Sequence, residues 1–301
     1  MANAAATAYV SYLDPGVAAK MVKGRPESVT AGQFSPFAKV NRKNGGFEVS
    51  GHFQFGSGSP HASYIGGAGF VTDADGTVET AADGIPLYMC FFVPQSGIKF
   101  KGNWDVMGLR GTGSFDYEVL LQEVAAESTF PLFHYEVKTG GSLYGMGPTC
   151  LAGIGHAGWG LGVARRALDE IAQIADGGRG RMGSALLKEQ QVFQREYGKK
   201  SLALRSVRLL THDVFGQCIE RIEKGQPMEK KHVDEIFSST AYLTEVALDC
   251  AQFAYRCAGS QGLRNPSLVQ RCFRDLFTGG QHLYVDQKGY ETVAQHKLGL
   301  G

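Results

Sequence analysis

The sequence predicts an α+β chain, with a β unit of short antiparallel strands followed by a bundle of long helices. Two observations carry this. Before Thr149 the apolar residues come in short runs of period two, bounded by glycine, proline, asparagine and aspartate. After Thr149 the runs are long, nearly free of proline, and repeat at three-and-four spacing. At 301 residues the chain is long enough for two such domains, each with its own core.

Taken in order, "GGFEVSGHFQFGSG" follows an "NGG" turn at Asn44 to Gly46 and alternates with Phe47, Val49, Phe53 and Phe55 in one register. "ASYIGGAGFVT" and "GIPLYMCFFVPQSG" are two further strands, separated by the polar loop "DADGTVETAADG". In "NWDVMGLRGTGSFDYEVLLQEV", Phe115, Tyr117, Val119 and Leu121 share one face, and Asp116, Glu118 and Leu120 the other. A glycine-rich corner carrying Arg110 feeds that strand, which predicts an anionic or strongly polar neighbour at the corner. The β unit thus has about six short strands. Beyond it, "GLGVARRALDEIAQIAD" places Leu161, Ala164, Ala167, Leu168 and Ile171 on one helical face. A proline-free run of some forty residues follows, then a helix after the breaker "GQP", and last "SLVQRCFRDLFTGGQHLYVDQKGYETVAQHKLG". Four long helices with short connections predict an antiparallel bundle.

Composition excludes several classes. Thirty basic against 29 acidic residues leave a net charge of +1, without the basic excess that a phosphate backbone requires. No run of eighteen apolar residues predicts a membrane span, and the N-terminus lacks the basic region of a secretory signal. The six cysteines have no CxxC spacing and read as free thiols of a reducing compartment, which points to the cytoplasm. No HExxH, CxxC or carboxylate cluster predicts a metal, and His61, His156 and His212 are scattered over different elements. "GIGHAG" at Gly153 to Gly158 matches GxGxxG, but the residues before it are loop-like and those after it helical. A dinucleotide site is therefore rejected in favour of close helix packing.

Two places carry more information. Ser57, two residues beyond Phe55, continues the strand alternation, and an aromatic followed by a hydroxyl can present a flat wall and a hydrogen bond to a planar ring. In the last long segment, Arg271, Arg274, Asp275, Thr278 and His282 recur at i, i+3, i+4, i+7 and i+11 as one polar stripe. Gly279 and Gly280 interrupt that helix, each at a cost of roughly 1 kcal/mol relative to alanine, as happens where a backbone or ligand comes close. His282 has the side chain suited to proton transfer near neutrality.

The motif order "GGFEVSGHFQFGSGSPHASY", "VMGLRGTGSFDYEV", "GLGVARRALDE" and "AGSQGLRNPSLVQRCFRD" resembles the acyl-CoA dehydrogenase superfamily over nearly the whole chain. The resemblance implies an antiparallel β-barrel-like domain at 26–145, a C-terminal four-helix bundle at 146–301 that forms a homotetramer, and flavin at their junction. The family's dehydrogenases commonly place a glutamate base just after the "RD" segment. Here that stretch, "RDLFTGGQHLYVDQKG", has His282 instead, which resembles the flavin-dependent monooxygenase branch. Such oxygenase components receive reduced FMN or FAD from a separate flavin reductase and use O2 through a C4a-hydroperoxyflavin, on small aromatic or heteroatom-containing substrates. The resemblance assigns Phe55 to the ring wall, Ser57 to flavin N5, and His282 to acid–base work near the reacting atoms. It places Arg110 and Ser114 near flavin or substrate, and Gly259, Ser260 and Arg274 near flavin across a subunit interface. Relatives carry a full N-terminal helical domain, of which residues 1–25 resemble a remnant. An acyl-CoA dehydrogenase, or a catalytically impaired flavin-binding subunit lacking one pocket wall, are the alternatives.

Overall fold

The structure, a computed structural model, describes residues 2–22, 28–43, 45–180 and 183–300. The expected boundary at residues 25 and 26, and Asn44 of the predicted turn, lie outside them. The chain divides into two compact units, residues 1–105 with 110–152, and residues 106–109 with 153–301.

The first unit opens with α1 (Ala2–Ala8), a 3-10 turn at Tyr9–Tyr12, and α2 (Pro15–Val22). Asp14 Oδ1 accepts from the N–H groups of Gly16 and Val17, and so satisfies donors that the start of α2 leaves free. The sheet follows with β1 (Thr30–Pro36), β2 (Ala38–Lys43), β3 (Gly46–Gly56), β4 (Tyr64–Thr72), β5 (Tyr88–Pro94), β6 (Ile98–Phe100), β7 (Phe115–Ala125) and β8 (Thr129–Pro131). Its order is β6-β7-β3-β2-β4-β5-β8, with β1 paired to β4. β1 and β2 both run parallel to β4, β1 along Tyr64 to Ala68 and β2 along Val71 and Thr72. The sheet is therefore mixed, not purely antiparallel, and no pairing joins its outer strands β6 and β8 among the described residues. β1 escaped the sequence reading because "TAGQFSP" carries neither clean alternation nor a long apolar run.

The predicted alternation holds in part. In β3, Phe47, Val49 and Phe53 are buried, but Phe55 is 61% exposed. The pairing with β7 shifts between Phe53 and Gly56, and Phe55 has φ 60°, so the bulge turns its side chain away from the core. The same two strands shift between Val49 and Gly51, which leaves Leu121 69% exposed although Tyr117 and Val119 are buried. The core is built around Phe53, Ile65, Phe91, Tyr117 and Val119. Tyr117 stacks on Phe53 at 5.1 Å, donates to Gly66 O at 2.7 Å and accepts from Gln33 N–H at 2.8 Å.

Helices make up the second unit. α3 (Gly147–Asp176) begins in the first unit and continues in the second; α4 (Gln191–Glu223), α5 (Lys230–Ala258), α6 (Leu268–Gly279) and α7 (Lys288–Lys297) complete it. α5 is the hub, with α4, α6 and α7 packed against it. Gly160 of α3 lets Leu243 of α5 come close: a Cβ there would lie 2.8 Å from Leu243 Cδ2. "GIGHAG" lies inside α3, with no strand leading into it. The last long segment is not one helix. α6 stops at Gly279, Gly280 caps it, and a 3-10 turn at Leu283–Val285 precedes α7. Among the described residues no helix is long and apolar enough to cross a membrane.

Candidate functional site

Within the first unit the expected residues gather at the end of β3. The strand leaves its register at Phe55, whose left-handed backbone costs an L-residue roughly 1–2 kcal/mol. The core does not explain that strain, because the ring is 61% exposed and meets Trp104 edge-on at 6.4 Å. Ser57 N–H closes a tight turn onto Phe55 O at 2.7 Å. Ser57 Oγ then lies 2.7 Å from Ser114 Oγ, and Ser114 Oγ lies 2.7 Å from Thr112 Oγ1. Gly58 N–H donates to Thr112 O at 2.8 Å and ties the two segments together. Phe55, Ser57 and Ser114 are thus brought together, as an exposed flat ring two residues from a chain of three hydroxyls with buried Ser114 at its middle. Arg110 opens the 3-10 turn Arg110–Thr112 with its side chain exposed. Thr112 was missed by the sequence reading because a threonine in a glycine-rich loop carries no periodic signal.

Within the second unit, the polar stripe of α6 has a structural job. Asp275 Oδ1 accepts from Leu109 N–H at 2.6 Å, and Arg274 donates to Met107 O at 2.5 Å and to Gln270 Oε1 at 2.6 Å. Both side chains hold the segment 106–109 against α6. Gly108 permits this, since a Cβ there would collide with Arg274 O. Arg271 pairs with Asp275 at 3.5 Å. Gly259 ends α5 at φ 54° and begins a 3-10 turn, Gly259–Gly262, on which Ser260 is exposed. A cavity of about 380 Å³ is lined by Met107, Tyr255, Gln270, Phe273 and Arg274. Arg274 therefore belongs to a pocket, while Gly259 and Ser260 do not line it.

His282 is not on the α6 stripe. It lies beyond the helix end, as N-cap of the 3-10 turn, where its Nδ1 accepts from Tyr284 N–H at 3.4 Å. Its ring lies parallel to Tyr284, 5.1 Å away, and 5.4 Å from the ring of His156. His156, set aside in the sequence as one of three scattered histidines, is 1% exposed on α3. Burial pushes its pKa down to about 4, with the neighbouring His282 charge acting in the same direction. Burial also lowers His282, whose residue keeps solvent exposure while its ring is flanked by aromatics. Gly279 serves this cluster, because its missing Cβ makes room for the Trp159 ring, which meets His156 edge-on at 5.2 Å. Only the fold could join residues so far apart in the chain. Among the described residues no group of three or more His, Cys, Asp or Glu is placed to hold a metal ion.

The family model described as "Acyl-CoA dehydrogenase, C-terminal domain" matches residues 154–287. That match spans less than half of the chain and is a similarity of its helical part. The chain is 26% identical over 295 residues to an indole-3-acetate monooxygenase of Pseudomonas putida, covering 95% of this chain and 71% of that one. It is 24% identical over 299 residues to the oxygenase component of the FADH(2)-dependent resorcinol hydroxylase of a Rhizobium species, covering 91% and 70%. Among solved structures it superposes on XiaF from a Streptomyces species, in complex with FADH2 and glycerol, with a TM-score of 0.83. That match has 17% identity and covers 99% of this chain and 75% of the other. The fold is a mixed sheet with helices, of the acyl-CoA dehydrogenase kind.

A flavin fits the corner on the structure's own terms. A strained, exposed aromatic beside a hydroxyl suits one face and one edge of a planar heteroaromatic ring.

Proposed function

We propose that this protein is the oxygenase component of a flavin-dependent monooxygenase, taking reduced FMN or FAD from a separate flavin reductase and oxidising a small aromatic or heteroatom-containing substrate with O2. The observation that carries the reading is Phe55, held exposed at φ 60° next to the Ser57–Ser114–Thr112 chain. The similarity to an indole-3-acetate monooxygenase, to the oxygenase component of an FADH(2)-dependent hydroxylase and to a structure holding FADH2 supports it.

Bound reduced flavin supplies the two electrons that O2 activation requires. Phe55 would hold the face of its ring and Ser57 would hydrogen-bond it at N5, with Ser114, 2.7 Å away, orienting the Ser57 hydroxyl. Arg110 suits a phosphate or an anionic reduced ring, because its charge persists and its donors are forked. His282 would give and take the proton near the substrate, and Gly259, Ser260 and Arg274 would hold flavin presented by a second copy. In the same reading residues 26–145 are the β domain and 146–301 a four-helix bundle that assembles a homotetramer. All six cysteines are free, in keeping with a cytoplasmic enzyme.

The test mixes anaerobic protein carrying reduced FMN, and separately reduced FAD, with oxygenated buffer, and follows flavin reoxidation and hydrogen peroxide. The protein is expected to change the reoxidation kinetics from those of free flavin, and Ser57→Ala or His282→Ala to raise peroxide release. Reoxidation identical to free flavin in both cases would refute the reading. Bleaching of oxidised FAD by an acyl-CoA panel would favour a dehydrogenase instead.

A further inference from the structure

The histidine pair of the second unit contains an imbalance in hydrogen bonding. Thr244 Oγ1 donates its one proton to Thr240 O at 2.8 Å and lies 3.3 Å from His156 Nε2. With that hydroxyl proton committed, His156 must be the donor, so its neutral ring carries hydrogen on Nε2 and a lone pair on Nδ1. That Nδ1 is fully buried and has no hydrogen-bond partner among the described residues. A buried acceptor left unpaired costs roughly 1–3 kcal/mol, so its retention asks for a state in which it is used.

His282 supplies that state. In the neutral ring Nδ1 is an acceptor and caps Tyr284 N–H. Protonation puts a hydrogen on Nδ1, and two donors then face each other across the cap. The cap must open, and the new N–H needs an acceptor. His156 Nδ1 is the unpartnered acceptor beside it, on a ring whose centroid is 5.4 Å away and tilted by only 35°. A turn of the His282 ring brings the two edges into hydrogen-bonding range.

We propose that His156 is a positioning residue for His282: it is the buried acceptor that receives protonated His282, so that the pair holds one proton as an imidazolium–imidazole unit while the His282 cap on Tyr284 is released. This rests on the reading of His282 as the proton-handling residue. No bond is made except the N–H on His282, and the proton comes from the site or from solvent. A second proton is excluded, since two cations would then face each other in a largely apolar cluster. The groups facing the pair are Trp159 from α3, Thr244 from α5, and Tyr284, whose hydroxyl is the other titratable group; among the described residues no carboxylate joins them.

The experiment is histidine titration by nitrogen-15 NMR on the flavin-free full chain. In the wild type His156 is expected as the Nε2–H tautomer, and finding it as Nδ1–H overturns the proposal. In His156→Phe, which removes the acceptor, the proton affinity of His282 is expected to fall at least tenfold; in His156→Asn, whose carbonyl oxygen can stand near Nδ1, it is expected to recover. An unchanged or higher His282 proton affinity in folded His156→Phe overturns the proposal. Should that variant fail to fold, Thr244→Val frees the His156 tautomer and is expected to weaken His282 protonation, and no change in it overturns the proposal. Since none of these readouts uses flavin, they stand apart from the oxygenase test: coupling in the pair with no effect of His282→Ala on peroxide release would sink the functional assignment alone.

Discussion

Replacing Phe55 with asparagine separates stability from binding. Phe55 sits at φ 60°, a conformation that costs a phenylalanine roughly 1–2 kcal/mol and that asparagine tolerates far better. Against that relief stands the edge-on contact with Trp104 at 6.4 Å, worth about 0.5–1 kcal/mol when half in solvent. Little else is lost, because the side chain is 61% exposed. The sum is a gain of up to about 1 kcal/mol, an upward shift in melting temperature of about 1–4 °C for a chain of this size. The same substitution removes the ring wall, and a lost stacking contact of about 1–3 kcal/mol weakens flavin binding by roughly tenfold or more. Thermal unfolding by circular dichroism and reduced-flavin titration under argon measure the two quantities. A variant that is less stable by more than about 1 kcal/mol, yet binds flavin unchanged, would refute the argument that the strain is kept for binding.

Other substitutions test the frame around the site. Tyr117→Phe leaves Gln33 N–H and Gly66 C=O without their buried partner and is expected to destabilise by about 2–4 kcal/mol in denaturant titration, with Phe53 stacking retained. Gly279→Ala drives a methyl group into the Trp159 ring; a loss of about 1–3 kcal/mol is expected, together with displaced His156 resonances. Acid stability follows from His156. Below its unfolded value of 6.5 the unfolded chain binds a proton that the folded ring refuses until about pH 4. Stability is therefore expected to fall between those values, by about 3 kcal/mol at most, and His156→Phe to flatten that slope in pH-dependent denaturation.

Much was legible without coordinates. The change of period near Thr149, and the strands from "GGFEVSG", "YIGGAGFVT" and "LYMCFFVP", followed from alternation and turn chemistry. The family resemblance and the flavin chemistry came from short motifs, which singled out Ser57 and Ser114 separately; that their hydroxyls lie 2.7 Å apart came from the fold. Alternation cannot announce its own interruption, however. The bulge at Phe53 to Gly56 sends Phe55 outward although its spacing matches the core residues before it. The α6 stripe was legible as a stripe, but the helix end at Gly279 takes His282 off it.

What the sequence determined by itself is therefore local: which segments bury a face and where they turn. Only the tertiary structure decided that β1 and β2 share β4 in parallel, that Asp275 and Arg274 hold residues 106–109, and that His156 stands behind His282. These depend on contacts across long stretches of chain, set by packing and by the need to pair buried polar groups, and neither leaves a period in the sequence.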